Sequence, residues 1–250
     1  MMADFSPSLT VSEISRFIRE RLGERDAVIA VSGGIDSAVV ASLLQRSIPV
    51  EKIHAYFLPY KGTAKTDYDD VKSLSDELGL KIETIEITSA VDSFASLLKV
   101  TDRMLLGNIK SRTRMIISYY YSSVYGGLVV GTTNRSEYMT GYFTKFGDGA
   151  CDIEPIMHLY KDEVRKIARY LRVPAHIIDK KPSAGLWESQ TDEEEMGFTY
   201  DQLDSFLRSH PSPGSGFVPG NPTERRIFDM ILKSEHKRHT PYSLMGREDV

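Results

Sequence analysis

Six residues, Ser32-Gly33-Gly34-Ile35-Asp36-Ser37, follow directly on the apolar run Ala27 to Val31. Beyond them Val39, Val40, Leu43 and Leu44 recur at helical spacing through Arg46, so the order reads as strand, glycine turn, helix. Small residues let backbone amides come close to an anion, because no Cβ holds the ligand away. The start of a helix adds unpaired N–H groups and the positive end of its dipole, and the hydroxyls of Ser32 and Ser37 are further donors. The chemistry that suits this arrangement is phosphate binding. Asp36 would repel a phosphate unless a cation such as Mg²⁺ bridges the two, which makes it a candidate metal ligand. Taken alone, the same residues also fit a plain glycine turn in which Ser and Asp cap a helix.

A second set of candidates lies past residue 100. Gly131-Thr132-Thr133-Asn134-Arg135-Ser136-Glu137 places Glu137 five residues beyond Thr132, on the first turns of a helix leaving a strand. From there its carboxylate can share a crevice, and a Mg²⁺, with Asp36. Spacing alone fits a solvated helix-start Glu equally well. Lys145 and Lys161 are candidates for neutralising phosphate charge. Arg112 sits in the basic stretch Lys110 to Arg114, and glycines flank Asp148 in a loop that can press against a flat ring. The histidines show no metal-ligand spacing.

These groups need a scaffold. Val11, Ile14, Phe17, Ile18 and Leu22 predict a helix over residues 11–22. Strands are expected near 27–31, 53–58, 81–87 and 128–130, with helices over 36–46, 67–78, 89–99 and 104–125 between them. That alternation argues for an α/β fold, a doubly wound, mainly parallel sheet flanked by helices, in one domain over residues 1–250. Ligands of such sheets bind beyond the carboxyl ends of the strands, where Gly33-Gly34 and Gly131 fall. Further helices are expected at 159–171, 200–208 and 222–236, with mobile loops near 183–195 and 211–222.

With 31 basic and 35 acidic residues the net charge is -4, so no general positive field draws nucleic acid. One cysteine, Cys151, excludes an internal disulfide framework and fits a reducing cytoplasm. Neither a signal peptide nor a membrane anchor is expected, and Asn134-Arg135-Ser136 matches a glycosylation sequon by chance.

The SGGxDS string after an apolar strand resembles the PP-loop of the N-type ATP pyrophosphatases; the Walker pattern GxxxxGK[ST] is absent. The strings Gly131 to Glu137, Gly141 to Gly149, and Asp152 with Pro155 look like the GTxNxxE, G[YF]xTKxGDG and DxxP block of NAD synthetases. Gly107 to Met115, Lys180 to Leu186 with Gln190 to Glu193, and Glu235-His236-Lys237-Arg238 resemble further strings of that family.

The resemblance implies an adenine nucleotide alpha hydrolase-like fold and an ammonia-dependent NAD synthetase activity. ATP would adenylate the nicotinate carboxylate of deamido-NAD, pyrophosphate would leave, and ammonia would displace AMP. It implies ATP contacts from Ser32, Gly33, Gly34, Asp36, Ser37, Thr132, Lys161 and Ser183, and Mg²⁺ on Asp36 and Glu137. Arg112, Lys145, Asp152, His236 and Lys237 would contact deamido-NAD. No protein nucleophile is required, and a homodimer is implied, which fits the aromatic stretch Met115 to Tyr125. Glutamine-dependent relatives carry an added amidase domain that this chain has no room for, so free ammonia is the expected donor. The competing readings are a PP-loop enzyme modifying tRNA, disfavoured by the acidic balance and lone cysteine, and a non-catalytic nucleotide-binding module.

Overall fold

The computed structural model describes residues 5–183, 191–211 and 216–239. The chain begins with α1 (Pro7–Leu22), β1 (Ala27–Ala30), α2 (Ile35–Ser47), β2 (Ile53–Phe57), α3 (Lys65–Leu78) and β3 (Ile82–Thr84). There follow α4 (Thr88–Leu97), α5 (Arg103–Tyr125), β4 (Leu128–Val130) and α6 (Arg135–Thr140). The remaining helices are α7 (Lys161–Tyr170), α8 (Ala175–Ile178), α9 (Asp192–Met196), α10 (Tyr200–Ser209) and α11 (Pro222–Lys233).

All strand pairings are parallel, in the order β3-β2-β1-β4. Side chains of a strand alternate between faces, and both central strands use both. Ala27 and Ile29 of β1, with Ile53, Ala55 and Phe57 of β2, join a core formed with α1, α2 and α7. Val28 and Tyr56 point the other way, toward Val91 of α4 and Ile109, Ile117 and Tyr121 of α5. A sheet buried on both faces reads as near-continuous apolar runs, as Ala27 to Val31 does.

The chain runs outward from β1 through β2 to β3, then crosses back to lay β4 on the opposite side of β1. Loops leaving β1 and β4 therefore diverge, and a crevice opens between their carboxyl ends. Both glycine turns lie there, as expected. Val130 also bridges Ile153 in parallel, which ties the segment after residue 150 to the same edge.

Differences from expectation are local. The first helix starts at Pro7 rather than residue 11, since proline suits the first helical position. β3 keeps only Ile82–Thr84 of the expected 81–87, on the sheet edge. The stretch read as loop through 195 is helical from Asp192, because Met196 is drawn into a third core with Phe198, Leu203, Phe206 and Ile227. Residues 184–190 and 212–215 of the two expected loops lie outside the described residues. Among the described residues, no helix is long and apolar enough to cross a membrane.

Candidate active site

The turn after β1 is braced from within. Ser32 N–H donates to Ser37 Oγ at 3.1 Å, the Ser37 hydroxyl donates to the Gly34 carbonyl at 3.0 Å, and Gly34 N–H donates to Ser32 Oγ at 3.2 Å. Ser37 is 3% exposed, so its hydroxyl holds the turn's shape as much as it faces a ligand. Gly33 has φ of +82°, a conformation other residues rarely adopt, and a Cβ there would sit 3.1 Å from the Asp67 carbonyl. Conformation and packing both require glycine.

Asp36, on the first turn of α2, and Glu137, on the first turn of α6, converge as expected. What stands between them is Lys161, the first residue of α7. Its Nζ lies 2.6 Å from Asp36 Oδ2 and 2.9 Å from Glu137 Oε1, and its side chain is 2% exposed. Lysine is seldom buried unless paired, so Lys161 is a built component of the site and no solvated surface cation. Burial opposes its charge, but Asp36 and Glu137 more than offset that and hold the ammonium above its ordinary range. Burial pushes the Glu137 carboxyl up to about 7, against the pull of Lys161.

Three neighbours fix this geometry. Asn134, fully buried, donates from Nδ2 to Asp36 Oδ1 at 2.8 Å and accepts from Glu137 N–H at 3.0 Å, closing a capping box on α6. The sequon at Asn134 is thus occupied by a core contact. Tyr200, also fully buried, places its hydroxyl 3.0 Å from Asp192 Oδ2 and 3.3 Å from Glu137 Oε1. Asp204 of α10 accepts from the Ser136 hydroxyl and from Asp162 N–H at 3.1 Å, while Ser136 Oγ accepts from Lys161 N–H at 3.1 Å. One buried carboxylate therefore aligns the starts of α6 and α7, the helices that carry Glu137 and Lys161. Asp36, Glu137 and Asp192 face one another around a single lysine ammonium, and Asp192 Oδ1 has no partner among the described residues. Among the described residues the pocket thus sets three carboxyl groups against one ammonium.

Beside it, a cleft of about 480 Å³ is lined by Thr133, Phe143, Lys145, Asp152, Glu154 and Lys237, among others. Lys145, Asp152 and Lys237 thus line one cleft, although each also holds the protein together. Lys145 Nζ donates to the His236 carbonyl, and Arg112 donates to the Lys145 carbonyl at 3.2 Å. Lys237 Nζ donates to the carbonyls of Gly141 and Phe143, both at 2.7 Å, and Asp152 Oδ2 accepts from Val129 N–H at 2.7 Å. The His236 side chain is exposed, so at this position the backbone makes the contact. Glu154 was not singled out by sequence; it accepts from Cys151 Sγ and Thr133 N–H, both at 3.1 Å, and burial pushes its carboxyl up to about 7. Cys151, driven well above its ordinary range by burial, stays a thiol.

Thr132 is half-buried in the turn after β4, and Ser183 is exposed three residues beyond Lys180. Besides Glu154, the residues that the sequence reading did not single out are Asn134, Asp192, Tyr200 and Asp204. Asn134 had a local signal, the Asn-x-x-Glu order of a capped helix start, and Asp192 lay within the family-like string Gln190 to Glu193; Tyr200 and Asp204 enter the site from a distant helix.

The arrangement offers amide and hydroxyl donors for phosphate and a carboxylate pair with a buried lysine, and the chain continues from Asn134 back to Thr133 in a cleft with basic and acidic groups. Comparison with known proteins shows the family to which such a chain belongs. The family model for NAD synthase matches residues 10–241. The NH(3)-dependent NAD(+) synthetase of Thermoplasma acidophilum is 51% identical over 94% of this chain and 96% of its own, and that of Pyrococcus horikoshii 45% over 92% of each. Among solved structures, NMN synthetase from Francisella tularensis superposes with a TM-score of 0.87 at 38% identity, covering 96% of this chain and 99% of that one. NH3-dependent NAD synthetase from Campylobacter jejuni gives 0.81 at 29%, covering 96% and 100%. Matched by motif, by sequence along almost its whole length and by fold, the chain belongs to the NAD synthase family.

Proposed function

We propose that the protein amidates the nicotinate carboxylate of deamido-NAD with ammonia, using ATP and releasing AMP and pyrophosphate. The observation that carries the reading is the meeting of Asp36, Glu137 and Lys161 beside the glycine turn, at the switch point between β1 and β4. The Gly33 amide and the start of α2 would hold the phosphates. Lys161 would swing from its carboxylates to the α-phosphate region, and preorganised positive charge there would stabilise the leaving pyrophosphate. Thr132 and Ser183 supply hydroxyls to ATP, while Arg112, Lys145, Asp152, His236 and Lys237 border the cleft proposed for deamido-NAD.

Mg²⁺ fits the residues present. Hard carboxylate oxygens of Asp36 and Glu137 both lie within 2.9 Å of the Lys161 nitrogen, so they converge on a single point that a cation could take when Lys161 moves aside, and among the described residues Asp36, Glu137 and Asp192 outnumber that one ammonium. When bound, the ion would neutralise charge on the phosphates. We further propose a single functional unit and a homodimer. Ile116, Tyr120 and Val124 fall on one stripe of α5 and are 53%, 61% and 55% exposed, with Leu97 of α4 at 75%. A cytoplasmic location accords with the lone cysteine.

The decisive assay supplies deamido-NAD, ATP, Mg²⁺ and ammonium and looks for NAD, AMP and pyrophosphate in equal amounts. ADP and phosphate as products, or turnover independent of deamido-NAD, would refute the reading. The Francisella likeness favours one second substrate, the deamidated mononucleotide, which would give NMN by the same chemistry. The ratio of kcat/KM for the two carboxylates decides between them.

A further inference from the structure

Two carboxylates stand beside the glycine turn with no part in the chemistry above. Asp67 and Asp70 lie on the first turns of α3, and a Cβ built on Gly33 would meet the Asp67 carbonyl at 3.1 Å and Asp70 Cβ at 3.5 Å. The start of α3 therefore packs directly on the turn proposed to bind pyrophosphate. Two negative charges at this distance oppose a polyanion, and Asp70 is only 6% exposed, so water screens it poorly. Lys180 answers both: its Nζ donates to Asp67 Oδ1 and to Asp70 Oδ2 at 2.5 Å each. His176 approaches Asp70 Oδ1 at 3.4 Å. From Lys180 the chain runs through Pro182, whose carbonyl accepts from Asp192 N–H at 3.0 Å, to Ser183. One short segment thus touches the glycine turn's backing at Lys180 and the carboxylate pocket at Pro182.

We propose that Lys180 is a positioning residue for ATP. It offsets one of the two negative charges that Asp67 and Asp70 place behind Gly33 and, by the same bonds, fixes the start of the segment that carries Ser183. The proposal rests on the ATP reading of the glycine turn, and it concerns ATP rather than the nicotinate substrate.

The test measures ATP binding directly by calorimetry with Mg²⁺ and, in parallel, KM for ATP and for deamido-NAD. Lys180→Met is expected to weaken ATP binding about tenfold, the scale of one uncancelled neighbouring charge, with KM for deamido-NAD within twofold of wild type. Lys180→Arg is expected to restore most of the loss. Asp67→Asn/Asp70→Asn/Lys180→Met, which removes the carboxylates with the lysine, is expected to recover at least half of it on a logarithmic scale. Unchanged ATP affinity in Lys180→Met, or equal losses for ATP and deamido-NAD, would overturn the proposal. If Lys180→Met does not fold, Asp67→Asn decides: it is expected to bind ATP at least as tightly as wild type, and a tenfold loss would overturn the charge argument. Wild-type protein that binds ATP but forms no NAD would retire the amidation reading and leave the Lys180 comparison intact.

Discussion

Replacing Glu137 by Gln is expected to abolish turnover while making the ligand-free protein more stable at neutral and alkaline pH. Burial pushes the Glu137 carboxyl from 4.5 up to about 7, so the folded protein holds this proton more tightly than the unfolded chain does. At pH 4 both states are protonated and the residue is neutral toward stability. As pH rises from about 4.5 to about 7 the unfolded chain ionises first, and the folded state loses stability until Glu137 ionises too. At ~1.4 kcal/mol for each tenfold, that displacement amounts to about 3 kcal/mol. Gln mimics the protonated acid and never incurs the loss. Urea denaturation of metal-free wild type and variant at pH 4.5 and pH 8 tests this: the variant's advantage is expected to grow from near zero to about 3 kcal/mol. The variant should lose the extra stabilisation that Mg²⁺ with ATP confers on wild type. An advantage independent of pH, or a variant less stable than wild type at pH 8, would refute the claim that this carboxylate is held charged at a cost to the fold.

Other variants probe separate links. Asp36→Ala removes a carboxylate that binds Lys161 and the proposed metal; kcat is expected to fall at least ~100-fold, and near-wild-type rates would end its assignment. Gly33→Ala forces a Cβ into the 3.1 Å gap at a φ of +82°, for a cost of about 1–3 kcal/mol, read as weakened ATP binding by calorimetry. Asp204→Ala leaves the Ser136 hydroxyl and Asp162 N–H without their buried acceptor; a loss of about 2–3 kcal/mol in denaturant unfolding is expected, together with lower kcat as α6 and α7 lose alignment. Tyr120→Glu with Ile116→Glu places charge on the exposed stripe of α5, and sedimentation is expected to shift from dimer to monomer. A wild type that sediments only as monomer would remove the dimer from the proposal.

Local chemistry made part of this protein legible from its residues. The glycine turn could be read because Gly33 answers a backbone requirement set within a few residues of chain. The helices could be read because Val39, Val40, Leu43 and Leu44 repeat at the helical period. Glu137 was placed on a helix start because it lies five residues beyond Thr132, just after the apolar run Leu128 to Val130. The family strings extended the reading to substrate and partners.

What no local pattern could show is that Lys161 fills the space between Asp36 and Glu137, since those contacts span 125 and 24 residues of chain. Nor could spacing reveal that Asn134 grips Asp36 across 98 residues, or that Asp204 aligns two helix starts from a third. These contacts exist because β4 returns beside β1, which brings two loops distant in sequence to one crevice. Residue types along the chain determined which groups were available to bind phosphate. The order of the strands decided which of them meet, and burial in that crevice decided their charge: a lysine kept as ammonium and a glutamate pushed up to about 7.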